Sequence, residues 1–299
     1  MLVHGDNLTQ KEKGDRKYSD ETSRTLLKEI REQYSIWHDL NMELKGPLTD
    51  ITEEDQAIIA ERVRLLNNYK DFMDQQKYAE HFDSRSNLHS SVLEEFLYYL
   101  FKDMVGEISE HLLVGKSHSF KDIFFVPPNF KEMVKKPYAR IETKDHDFII
   151  GIRVELKMSN QGQSGILDQL FGGTETEIHL FDLPAVAIEC KTYLDKTMLE
   201  GSSAAAEQLK ARSPNAIYIV LMEWLKLTEA VNLRKYKVDQ IYVLRKQKNT
   251  DREFRFAATY RKNPIHVDVV QHLFDAVRIH LSSDWKGGIE FGLLRGWLI

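Results

Sequence analysis

Apolar residues in the first third of the chain recur at three- and four-residue spacings. Over residues 22–44, Leu26, Leu27, Ile30, Tyr34, Trp37 and Leu44 form one helical stripe. Gly46-Pro47 stops it, because proline lacks an amide donor and disfavours helix in the residue before it. A second helix is predicted to start near Thr52, where acidic residues suit the positive end of a helix. It carries Ile58, Ile59, Val63, Leu66, Tyr69 and Met73 along one side. The two stripes read as core packing between antiparallel helices. The string His81-Phe82-Asp83-Ser84-Arg85-Ser86 breaks the pattern, and a third helix follows with Val92, Leu93, Phe96, Leu97, Leu100 and Met104 as its stripe. The residues ahead of Thr22 are charged, show no apolar period and read as a mobile arm.

Beyond the third helix the period changes. Val126-Pro127-Pro128 and Lys136-Pro137 punctuate a loop-rich stretch. Residues 147–158 then alternate: Phe148, Ile150, Ile152, Val154, Leu156 and Met158 face one way, and Asp147, Ile149, Gly151, Arg153, Glu155 and Lys157 the other. Residues 160–165 give a loop signal, residues 185–191 a short strand, and residues 199–212 a helix ended by Pro214. The apolar run 216–222 has the mark of a strand covered on both faces, so strand, helix and buried strand form a βαβ unit. Residues 241–244 add one more strand. The expected fold class is α/β, a mixed sheet flanked by helices with a helical N-terminal part.

Composition narrows the classes. With 299 residues, 42% hydrophobic and 29% charged, the chain is long and apolar enough to bury a core. Lys and Arg total 41 against 46 Asp and Glu, a net charge of −5, which excludes a uniformly basic nucleic-acid coat but leaves room for a local basic groove. Cys190 is the single cysteine, so an internal disulfide is excluded and a reducing cytoplasm fits. No apolar run approaches the ~20 residues of a membrane span, and the opening MLVHGDNLTQKEKGDRK is polar. A soluble cytoplasmic protein without a membrane partner is expected. The 11 histidines show no spacing such as HExxH, which argues against zinc.

The informative segment is Val186-Ala187-Ile188-Glu189-Cys190-Lys191. On a strand, Glu189 and Lys191 share one face and Ile188 and Cys190 the other. A carboxylate thus stands beside an ammonium, with apolar residues behind. Mg²⁺ takes hard oxygen ligands and uses one or two carboxylates with water and phosphate, so a second acid is needed. Asp147 is the candidate. Glu155-Leu156-Lys157 repeats the Glu-x-Lys pattern nearer in sequence. On one straight strand, though, Glu155 would lie about 26 Å from Asp147, too far to share an ion. Glu189 is on a different strand that can pair beside Asp147.

The surrounding strings add specificity. KDHDFIIG (144–151), PAVAIECKTYLDKTML (184–199), AAEQLK (205–210), Pro214 and IYVLRK (241–246) together resemble type II restriction endonucleases of the PD-(D/E)XK superfamily, in the group that includes BbvCI and DdeI. The resemblance extends upstream through Phe82-Asp83-Ser84-Arg85 and Leu93-Glu94-Glu95-Phe96, and faintly to His4-Gly5, so it covers most of the chain. It implies a helical region over residues 1–85 and a PD-(D/E)XK catalytic domain over residues 86–299. The implied activity is a Mg²⁺-dependent endonuclease that cuts double-stranded DNA at a short site, one strand per active site. The implied partner is a second nuclease subunit, in a homodimer or heterodimer. Asp147 corresponds to the first acid of the motif, Glu189 to the second and Lys191 to its lysine. His146 stands where the motif's name has proline.

By this reading Asp147, Glu189 and the Cys190 carbonyl are the metal ligands. Lys191 orients water or helps deprotonate it, and stabilises developing charge. Glu95, on a helix that packs against the catalytic sheet in this superfamily, is a candidate outer carboxylate. Basic clusters at 11–17, 131–136, 234–237, 245–248 and 252–262 are candidates for lining a DNA groove, and 160–164 and 245–261 for base readout. The aromatics of the helical part are candidates for a dimer surface or for packing against the core. Two other readings remain: a repair or structure-specific nuclease on the same core, and a DNA-binding partner subunit without chemistry.

Overall fold

The structure, a computed structural model, describes residues 2–14, 16–50, 52–82, 86–160, 175–228, 230–250 and 255–285, together with 287, 289 and 293. The chain begins with α1 (Val3–Gly14), α2 (Glu21–Glu43), α3 (Glu53–Met73), the short α4 (Gln76–His81) and α5 (Leu88–Ile108). Then come β1 (Leu113–Phe125), α6 (Phe130–Lys135), β2 (Ala139–Met158), β3 (Glu177–Leu194), α7 (Lys196–Lys210), β4 (Ile217–Leu225), β5 (Gln240–Val243) and α8 (Val267–Ser282). The expected boundaries of α2 and α3 hold because they are capped. Asp20 accepts from the Ser23 amide, and Thr52 and Asp55 form a reciprocal capping box.

The strands form one sheet in the order β1-β2-β3-β4-β5. β1–β2 and β2–β3 are antiparallel, whereas β3–β4 and β4–β5 are parallel. The βαβ unit is β3–α7–β4. On one face of the sheet Phe148, Ile150, Val186, Ile188, Ile219 and Leu221 join a core that runs through α1, α2, α3, α5 and α8. On the other face Ile149, Ala187, Tyr218, Val220 and Met222 pack against Leu199, Ala206 and Leu209 of α7. The helical part and the sheet therefore share one apolar core, with helices on both faces. Trp37 stacks on Tyr69 at 5.0 Å and meets Tyr99 edge-on at 5.2 Å, so these aromatics are interior packing. Among the described residues no helix is long and apolar enough to cross a membrane.

Several expectations are corrected. The charged opening segment is helical: α1 is held by Val3 and Leu8 in the core and by buried polar contacts made by His4. β1 occupies part of the stretch read as loop. The alternation along 147–158 is broken, because consecutive residues Phe148, Ile149 and Ile150 are all buried by helices on both faces, while Ile152 is exposed. The pairing register shifts after Ile150, where β3 contributes an extra residue. A Cβ on Gly151 would lie 2.3 Å from the Leu183 carbonyl oxygen, so only glycine fits this close approach.

A buried ionic group ties α3 to the sheet. The Glu223 carboxylate on β4 receives the Lys70 ammonium and the Arg245 guanidinium, each at 2.8 Å, and all three side chains are almost completely excluded from solvent. Arg245, expected on a surface basic cluster, is thus structural, and it also donates to the Asn263 carbonyl. Burial works to raise the Glu223 carboxyl, but Lys70 and Arg245 outweigh it and hold the group well below the usual carboxylate range. Glu223→Ala leaves two buried cations uncompensated, so we expect a loss of about 3–5 kcal/mol in urea unfolding at pH 7. A depressed carboxyl contributes its stability above the unfolded-state value, and that contribution fades as pH falls. The difference between wild type and Glu223→Ala should therefore narrow as the pH drops through about 4.

Candidate active site

Strand pairing builds the site. β2 and β3 run antiparallel with Phe148 opposite Ile188, which brings Asp147 to the Glu189 end of the β3 segment. Asp147 does not sit on a regular strand. Between the pairs Ser117–His146 and Gly115–Ile149, β1 advances two residues while β2 advances three. Such a bulge re-aims the extra side chain, and bulges gather beside active sites for that reason. The freed Asp147 carboxylate turns onto β3, where Oδ2 accepts the Cys190 amide at 2.9 Å.

Lys191 joins the two acids. Its ammonium lies 2.6 Å from Glu189 Oε1 and 3.4 Å from Asp147 Oδ2. The remaining Glu189 oxygen accepts from the Tyr218 hydroxyl at 3.2 Å. The three charged side chains are half-buried. Burial acts to raise the Asp147 carboxyl and the adjacent Glu189 charge adds to it, so the group lies above its ordinary value. Burial acts to lower Lys191, but Asp147 and Glu189 outweigh it and hold the ammonium above the ordinary lysine range. Lys191 is therefore a cation at neutral pH.

Asp147, Cys190 and Lys191 line a cavity of about 780 Å³. Across it, on α5, stands Glu94 rather than Glu95. Glu94 Oε2 is buried and has no hydrogen-bond partner among the described residues. Burial, then the Asp147 charge, push its carboxyl up to about 7. Glu95, the expected outer carboxylate, points into the helical part, where it accepts from the amides of His4 and Gly5 and the hydroxyls of Tyr34 and Tyr99. Both acids are written in the sequence, and only the rotation of α5 separates them. The cavity wall also carries Lys116, Lys226, Arg255, Asn249 and Asn7. Of these, Asn249 and Arg255 lie in the expected readout and basic segments. Lys116 and Lys226 cannot be found from the sequence, because isolated lysines give no signal there.

The other candidates fall elsewhere. Glu155 and Lys157 pair with each other at 2.9 Å and are exposed, away from the cavity. The Cys190 side chain is buried behind the site, and burial pushes its thiol up, leaving it unreactive. His146 is buried against the Tyr218 ring at 5.8 Å; burial lowers its imidazole, which is neutral, and its Nδ1 is without a partner among the described residues. Asp83-Ser84-Arg85 and the loop 161–164 lie outside the described residues.

The donor set fits a hard cation better than a soft one. Two carboxylates meet at one ammonium, and a third carboxyl faces them with an unpartnered oxygen. Among the described residues no group of three His, Cys, Asp or Glu side chains could hold a metal by itself. Mg²⁺ takes one or two carboxylates and fills its shell with water and substrate oxygens, and Asp147 and Glu189 are two such groups.

The family described as Bpu10I restriction endonuclease matches residues 85–297. No curated protein sequence matches the chain. Among solved structures, the native BbvCI A2B2 tetramer at low resolution matches with a TM-score of 0.65 and 19% identity, over 95% of this chain and 98% of that one. Identity at this level shows a shared fold.

The raised Glu94 carboxyl has a measurable consequence. Its penalty is absent below the ordinary glutamate value, where both folded and unfolded states are protonated, and reaches its full size above about 7. Glu94→Gln should therefore stabilise the metal-free protein at pH 8, on the order of 1–3 kcal/mol, and give no gain near pH 4. Urea unfolding in EDTA at the two pH values checks this; a gain confined to acid contradicts it.

Proposed function

This chain belongs to the Bpu10I restriction endonuclease family, and from that premise we propose that it is a type II restriction endonuclease subunit with a PD-(D/E)XK core. In this reading it hydrolyses phosphodiester bonds of double-stranded DNA at a short sequence with Mg²⁺. The observation that carries the proposal is the Lys191 ammonium held between the Glu189 and Asp147 carboxylates in a cavity walled by further cations. A chain that only binds DNA has no need of this set.

Asp147, Glu189 and the Cys190 carbonyl are the groups that would hold Mg²⁺, which when bound supplies charge neutralisation at a phosphate oxygen and a lowered water pKa. The protein's own residues do the rest. Lys191, kept charged by its two acids, faces the scissile phosphate and stabilises the negative charge that builds on it. Its ammonium donates to the attacking water and orients it. Tyr218 fixes Glu189 by donating to one oxygen, while the other takes the Lys191 ammonium. The Cys190 amide does the same for Asp147. Lys116, Lys226 and Arg255 line the path of the DNA backbone, where phosphate contacts set register and base edges set sequence.

The chain brings together one Asp147, Glu189 and Lys191 set, so it acts on one strand at a time, and a double-strand break calls for a second nuclease subunit. The BbvCI assembly of the same fold contains two kinds of subunit, A and B, which supports a different partner chain over a copy of this one.

The test is plasmid cleavage with Mg²⁺, by the chain alone and with a candidate partner. Glu189→Gln and Lys191→Ala should each lower cleavage by at least about 10³-fold while DNA affinity stays within a few-fold of wild type. Robust cutting by either variant would sink the site assignment. With a catalytically dead partner, the wild-type chain should nick one defined strand. Clean double-strand breaks by this chain alone would overturn the two-chain reading and leave the nuclease assignment standing.

A further inference from the structure

Helix α1 contributes Asn7 to the wall of the cavity, and the helix is fastened by buried polar groups. Its first turn is bound by hydrogen bonds to a completely buried carboxylate. The amides of His4 and Gly5 donate to Glu95 Oε2 at 2.9 and 3.1 Å, which satisfies two donors that a helix start leaves free. The other Glu95 oxygen accepts from Tyr34 at 2.9 Å and Tyr99 at 2.5 Å. The His4 ring is fully buried and meets Ser91 Oγ at 2.9 Å and the Tyr69 hydroxyl at 2.6 Å. Gly5 lets the helix sit this close, because a Cβ there would lie 2.3 Å from the Tyr34 oxygen. Three tyrosines, one serine, one histidine and one glutamate thus specify where α1 lies, to a precision that an apolar stripe does not impose.

Three residues after His4, and so on a neighbouring face of the same turn, Asn7 enters the cavity that holds Asp147 and Lys191. Asn7 is half-buried and sits beside the fully buried Leu8. Its amide makes no side-chain hydrogen bond among the described residues. Glu94 and Glu95 divide the work on α5: one faces the cavity and the next anchors the helix that carries Asn7 into it. A carboxamide has two donors for phosphate oxygens. Being neutral, it does not neutralise the nearby acids as a lysine in that position would.

We propose that Asn7 contacts the DNA backbone next to the scissile phosphate, and that His4, Gly5 and Glu95 are positioning residues that hold it there. This inference rests on the cavity being the DNA-cleaving site. It assigns a substrate contact to the N-terminal helix, which lies outside the matched region 85–297.

The test measures KM and kcat for supercoiled plasmid cleavage with Mg²⁺, using the full chain with whatever partner the wild type requires. Asn7→Ala should raise KM about 3–10-fold, the worth of one hydrogen bond, with kcat within twofold and an unchanged thermal midpoint. Asn7→Asp, which sets a negative charge against phosphate, should raise KM more than Asn7→Ala does. Gly5→Ala displaces α1 and should raise KM to a similar extent. The Gly5→Ala, Asn7→Ala double variant should then be no worse than Gly5→Ala alone, since a displaced Asn7 has nothing left to lose. A merely structural effect of Gly5→Ala would lower the active fraction, and with it kcat, leaving KM in place. Wild-type KM for both Asn7 variants overturns the contact even if Gly5→Ala fails to fold, and KM effects that multiply in the double variant overturn the positioning role. Glu189→Gln in the same assay keeps the two claims apart: if it cuts like wild type, the site reading falls, whereas a dead Glu189→Gln beside normal Asn7 variants removes this inference alone.

Discussion

Two carboxylates brought together in a half-buried place repel each other, and the arrangement around Asp147 and Glu189 answers that constraint. Lys191 stands between them as a counter-ion; the Cys190 amide donates to the same Asp147 oxygen, and the Tyr218 hydroxyl takes the other Glu189 oxygen. The compensation is incomplete, since Asp147 still lies above its ordinary value and Glu94 across the cavity is pushed up to about 7. On the proposed reading, a divalent cation held by Asp147 and Glu189 would take up this residual repulsion. The sheet makes this possible: the antiparallel pairing of β2 and β3 brings Asp147 beside Glu189, with helices packed on both faces.

Much of this was legible in the chain and some was not, for identifiable reasons. Glu189 and Lys191 could be read because a two-residue step on a strand fixes a shared face, and the apolar run 216–222 identified the strand that flanks them. Rejecting Glu155-Leu156-Lys157 needed only strand rise, and that pair is indeed solvent-exposed. The bulge at β2 could not be read, because an alternating pattern conveys no register and the extra residue lies in its pairing with β1. Assigning Glu95 instead of Glu94 failed on a rotation of one residue about α5. Two adjacent acids on a helix look alike until the neighbours of each are known.

The polar interior was the harder part. α1 shows no helical signal in the sequence, since its buried side includes His4, Gly5 and an approach to Glu95 in place of an apolar stripe. Arg245 looks like part of a basic surface in the sequence, because a cation in a string of cations has no visible partner. Glu223, which neutralises it together with Lys70, lies on β4, 22 residues away in sequence from Arg245. β1 escaped because its Ser117 and Ser119 face the buried Asp182 carboxylate, which breaks the apolar alternation. Hydrogen bonds and ion pairs between distant segments leave no periodic trace, whereas apolar packing does.

The central claim, that the Asp147 and Glu189 pair is the seat of a divalent cation, is tested most directly by crystals grown with Mn²⁺ in place of Mg²⁺ and measured at the manganese absorption edge. The account predicts an anomalous peak within about 2–2.5 Å of oxygens from both carboxylates, with Lys191 moved off at least one of them. A peak coordinated elsewhere, or Lys191 still bridging both acids at saturating Mn²⁺ with no peak between them, would contradict it.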